Sequence, residues 1–154
     1  MPLTLERTSP TTAVVTRHFA ASPARVFAAH TDPVLVQKWL TGPDGWEMTR
    51  CEIDMRPGGQ TRYDWVAADG SRGFHLTADT LEIDPPHRIL HVERMFLPFQ
   101  TPDNTVETLF LPDGTGTRMV MTMSVAEAVT MDTMLQTGME HGMEASYARM
   151  EAQL

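Results

Sequence analysis

Six histidines are the first candidates for chemistry in these 154 residues: His18, His30, His75, His87, His91 and His141. None pairs with another at metal-ligand spacing, i, i+2 on a strand or i, i+4 on a helix. The single Cys51 has no thiol partner. The pattern therefore predicts no metal site and no cofactor. Serines fall at caps and turns, outside any nucleophile-elbow context. Two glycine-rich turns, Pro57-Gly58-Gly59 and Gly114-Thr115-Gly116, lack the Lys-Ser/Thr and following helix of a phosphate loop. They read as hairpin turns.

What remains is apolar. Tyr63 and Trp65 alternate on one predicted strand, and Met119, Met121 and Met123 on another, so each set points to one face. Facing them, Leu135, Met139, Gly142, Met143, Ser146, Met150 and Leu154 form a stripe at helical spacing in the C-terminal stretch. Aromatic rings opposite adaptable methionines suit a deformable small-molecule pocket as well as a packed core. Candidate ligand-binding residues are Trp39, Tyr63, Trp65, His75, Met119, Met121, Met139, Gly142 and Met143. His75 is the candidate polar handle, because it sits beside a break in alternation over Thr77 to Asp79 that predicts a bulge. His91 and Glu93 share a face with Ile89 and Met95. The opposite face, Leu90, Val92 and Phe96, is at least as apolar, so His91 and Glu93 are expected in solvent. No catalytic residue is singled out.

These residues need elements to position them. Met1 to Pro10 reads as a loose lead-in and Thr11 to Phe19 as a strand. Ser22-Pro23 and Asp32-Pro33 are helix starts, Ser or Asp capping and Pro in the first turn. They predict two short helices, the first to about His30 and the second over Val34 to Leu40. From Trp46 the period becomes two. Strands ending in Pro57-Gly58-Gly59, Asp69-Gly70, Pro85-Pro86 and Asp113-Gly114-Thr115-Gly116 follow in hairpin succession. Thr130 to Leu154 then predicts one helix, roughly 36 Å long at 1.5 Å per residue, with Thr130 as N-cap and Asp132 in its first turn. Gly138 and Gly142 fall on its inner side. An antiparallel sheet of this size must bury one face, and the long helix is the element left to cover it. The expected architecture is a single α+β domain, a helix-grip: a curved antiparallel sheet around a long C-terminal helix.

Composition sets bounds on partners. Net charge is −8 and the pI about 5.1, which disfavours nucleic acid and anionic membrane. No stretch suits a signal peptide or membrane span, and one cysteine fits a reducing compartment, so a cytoplasmic protein is expected. If Met95 and Met134 are exposed, they favour a homodimer.

Arg17-His18-Phe19, Ala21-Ser22-Pro23, Val26-Phe27 and Thr31-Asp32-Pro33 through Trp39 resemble the opening of a START-like (SRPBCC) domain. Glu52 through Gly59, Asp84 through Ile89, Glu93-Arg94 and Gly138 through Gly142 are similar to the branch named after the activator of the HSP90 chaperone ATPase. The resemblance covers nearly the whole chain. It implies a helix-grip that binds a small apolar molecule under the last helix. Related branches imply an alternative, a cyclase or dehydratase using His75 with a tyrosine as acid or base. The family name implies a third, a chaperone interaction module, although this length leaves no room for the extra N-terminal domain of the eukaryotic activators.

Overall fold

The computed structural model describes residues 2–154. Eight strands form one antiparallel sheet: β1 (Thr4–Ser9), β2 (Thr12–Phe19), β3 (Trp46–Ile53), β4 (Gln60–Ala67), β5 (Gly73–Asp84), β6 (Arg88–Phe96), β7 (Asn104–Asp113) and β8 (Gly116–Ser124). Their order is β1-β2-β8-β7-β6-β5-β4-β3. The N-terminal strands thus join β8, and β3 closes the far edge. The sheet curves without closing.

The helix starts behave as their residues dictate. Ser22 accepts a hydrogen bond from Arg25 N at 3.4 Å and opens α1 (Pro23–Thr31). Asp32 accepts from Val34 N at 2.9 Å and opens α2 (Pro33–Trp39).

Three expectations are corrected. The lead-in is ordered from Thr4, which pairs with Thr16, and Leu3 is buried in the core. Edge strands are commonly short and charged, so Thr-Leu-Glu-Arg-Thr-Ser has little strand signal. The C-terminal helix is two helices, α3 (Ala128–Gln136) and α4 (Met139–Gln153). Gly138, at φ +75°, takes the left-handed conformation between them, which glycine adopts without steric cost. Thr130 and Asp132 consequently lie inside α3, whose N-cap position is Glu127. The bulge in β5 falls between Thr80 and Glu82, past the predicted position.

The core lies under α4 on the β2-β8-β7 side. Ala13, Val15 and Phe19 share a face with Met123, Met121 and Thr117, and across β8 with Val106, Thr108 and Phe110. Tyr147 of α4 meets Phe19 edge-on at 5.8 Å and stacks on Trp39 at 6.0 Å. Arg17, also on this face and buried, makes a two-pronged bond to Glu144 of α4, Nε to Oε1 at 3.1 Å and Nη2 to Oε2 at 3.0 Å. Such a forked pair fixes geometry as well as charge. Leu3 N donates to the same carboxylate at 2.7 Å. Among the described residues no helix is long and apolar enough to cross a membrane. Met95 and Met134 are half-buried, and the exposed large apolar side chains are Val34, Leu81, Leu97, Phe99 and Val129.

Candidate functional site

Register places the inward residues of the other half of the sheet. Cys51 faces Tyr63, Tyr63 faces Leu76, and Leu76 faces Met95. One ladder step along, Thr61, Ala78, Glu93 and Asn104 stand side by side from β4 to β7. Next come Thr80, His91 and Val106. The concave wall therefore carries Glu93 and His91, a correction to the expectation that both are solvated. The more apolar face of β6 is the convex one.

The candidate lining divides on inspection. Tyr63, Met121, Met139 and Met143 are half-buried; the three methionines pack against the core cluster from its edge. Met119 is completely buried and belongs to the core. Trp39 and Trp65 are structural. The Trp39 indole donates to Ala29 O at 2.8 Å. That of Trp65 donates to Leu40 O at 2.9 Å, pinning the chain after α2, and its ring stacks on Phe74 at 4.8 Å. His75 is on the convex face, stacked on Phe96 at 4.3 Å. With the bulge at Leu81, alternation through Phe74, Leu76, Ala78 and Thr80 is unbroken, so His75 points away from Tyr63. The two cannot act as one acid–base pair. Gly142 is exposed, and a Cβ there would meet nothing within 4 Å. It does not face the sheet.

The polar groups of the concave side form a cluster that includes several unanticipated residues. His91 Nε2 lies 3.3 Å from Glu93 Oε2, and Asn104 Nδ2 donates to Glu93 Oε1 at 3.3 Å. His30 of α1 donates from Nδ1 to Val26 O at 2.8 Å, so its neutral ring presents Nε2 as an acceptor. Its ring packs edge-on against Trp39 and Phe110. Burial lowers its pKa to about 4, and His91 adds to the shift. Burial also raises the Tyr63 and Tyr147 hydroxyls above the tyrosine range; Glu93 contributes to both, and the neighbouring Cys51 to Tyr63. These residues left some trace in the sequence. Ile89, His91, Glu93 and Met95 alternate together, and Tyr147 continues the helical stripe four residues after Met143. Among the described residues no three His, Cys, Asp or Glu side chains converge as a metal site.

A curved, unclosed antiparallel sheet with helices across its concave face defines a helix-grip α+β protein. Residues 20–154 match the family described as Activator of Hsp90 ATPase homolog 1-like protein; the chain belongs to that family. It is similar to a crystal structure of a Rhodobacter sphaeroides protein, at 30% identity and TM-score 0.93 over 99% of this chain and 97% of that one. A Mycobacterium smegmatis protein shares the fold at 24% identity and TM-score 0.85, over 99% of this chain and 97% of that one. An AHSA1-like protein from Aeromonas hydrophila shares it at 22% identity and TM-score 0.72, over 91% and 93%. No curated protein matches the chain. The architecture is one that ligand-binding domains use.

Proposed function

We propose that this protein binds a small, largely apolar or aromatic molecule in the groove between the sheet and its terminal helices. One observation carries the reading. Tyr63, Leu76, Met95, Met121, Met139 and Met143 all belong to the concave side or the helices over it, yet each stays partly accessible. A sealed core would leave such side chains covered. Methionine on both walls supports it further, because the unbranched thioether adapts to irregular guests. The lone free Cys51 fits a cytoplasmic setting.

Methyl-labelled methionine NMR with 1-ethylnaphthalene, a neutral apolar probe, tests the reading. Saturable shifts are expected at Met121, Met139 and Met143, with little change at Met131, which is buried in the core. No saturable shift at any methionine up to the probe's solubility limit would remove the proposal.

A further inference from the structure

Glu93 is a carboxylate on the concave wall with a histidine, His91, as its ion-pair neighbour and no arginine or lysine paired to it. Its side chain is 27% exposed, and its hydrogen-bond neighbours are His91 Nε2 and Asn104 Nδ2. The guanidiniums of β4 and β6 are engaged elsewhere. On the convex face Arg62 pairs with Asp64, Arg88 with Glu82 and Glu107, and Arg94 with Asp79 and Asp103. Arg17 shares the concave face but is held by Glu144 and Glu151, and β2 lies three strands from β6. That is about 14 Å at the usual strand spacing. Beside Glu93 stand Ala78 and then Thr61, too short to reach across and cap the carboxylate.

Asn104 holds Glu93 from behind. It is 8% exposed, and its Oδ1 is buried without a hydrogen-bond partner. Rotating the amide does not relieve this, because Oδ1 would then face the Glu93 carboxylate instead of Nδ2. A buried acceptor left unsatisfied is costly. The inner wall thus offers one partly exposed, formally charged acceptor, braced from below by the buried Asn104 amide. Around it are Tyr63, Leu76 and Met95, which are apolar over most of their surface.

From this geometry we infer that the groove selects an amphiphilic amine, an apolar body ending in an ammonium group that donates to Glu93. This rests on the groove-binding reading above and adds the chemical class of the ligand. The net charge of −8 also favours a cation over an anion at the mouth of the groove.

Three naphthalenes of similar size separate the two claims: 2-(1-naphthyl)ethylamine, 1-naphthaleneacetate and neutral 1-ethylnaphthalene. Each is titrated into the wild-type protein, with affinity read by calorimetry and position by the methionine methyls. The amine is expected to bind at least about tenfold tighter than the acid, the scale of one charge-assisted hydrogen bond. In Glu93→Gln the amine should weaken by about tenfold while ethylnaphthalene is unchanged, which also shows that the variant is folded. If ethylnaphthalene binds but the acid binds as well as the amine, the amine inference is overturned and groove binding stands. An unchanged amine preference in Glu93→Gln has the same meaning. If no naphthalene binds, both claims fall together.

Discussion

Asp32 serves two helices at once. Its backbone N–H donates to Ala28 O and closes α1, while its side chain accepts from Val34 N and opens α2. The sharp corner between the helices depends on this residue, and α2 in turn carries Trp39 beneath Tyr147. Asp32→Ala keeps the backbone bond and deletes the cap. It should cost about 1 kcal/mol, read as a lower Tm; an unchanged Tm would show that the corner is held by packing alone. Residues of this kind are legible from sequence because their signal is local. Ser-Pro and Asp-Pro specify a cap and a first turn whatever the rest of the chain does. The residues of the concave wall on β6 are less legible. His91 and Glu93 share their face with Ile89 and Met95, and comparing hydrophobicity with Leu90, Val92 and Phe96 selects the wrong face. A concave wall that stays partly accessible tolerates polar side chains. Convex residues find partners of their own, as Phe96 does with His75.

At the scale of elements, the C-terminal segment shows how two identical residues take opposite roles. Gly138 and Gly142, four apart, look equivalent in a continuous helix. The structure puts Gly138 at φ +75° between α3 and α4, and Gly142 inside α4 on an exposed face. Helical periodicity continues on both sides of the break, so hydrophobic spacing does not reveal it. Gly138→Ala forces a Cβ into the left-handed region and should destabilise by about 1–2 kcal/mol. Gly142→Ala places a better helix former in open space and should stabilise by up to about 1 kcal/mol. The two variants should therefore shift Tm in opposite directions. Equal shifts would mean that the segment is one helix after all. A Cβ at Gly142 meets nothing within 4 Å, so this exposed position does not probe the space beneath the helix. The β-hairpins were more accessible to reading, because Asp69-Gly70 and Asp113-Gly114 punctuate clear alternation. The first strand was not, since its six mostly polar residues draw their order from pairing with β2.

For the whole molecule, His30 and Glu144 are among the titratable groups that join the sheet and helices, and acid should act on both. His30 ties α1 to Trp39 and to Phe110 of β7. Glu144 ties α4 to Arg17 of β2 and to Leu3 N. Burial lowers the His30 pKa from 6.5 to about 4, so the folded state holds the ring neutral where the unfolded chain would protonate it. Between those values the unfolded state binds more protons, and stability must fall as pH falls. The contribution is complete above about pH 6.5 and gone below about pH 4. Its full size is up to about 3 kcal/mol at 1.36 kcal/mol per pKa unit. Hydrogen bonds from Arg17 hold the Glu144 carboxyl below the usual carboxylate range. Its contribution is present above the unfolded carboxylate pKa and is lost only as pH falls through the depressed folded value. Acid should therefore weaken the protein in two stages, first at His30 and then at Glu144. Urea unfolding at pH 7, 6, 5, 4 and 3 should show the free energy of unfolding declining across the first three steps through the single His30 proton. In His30→Gln that decline should flatten while the later loss through Glu144 persists. A wild-type curve that is level from pH 7 to pH 5 would mean that His30 is not held neutral, and that the ring between Trp39 and Phe110 is open to water.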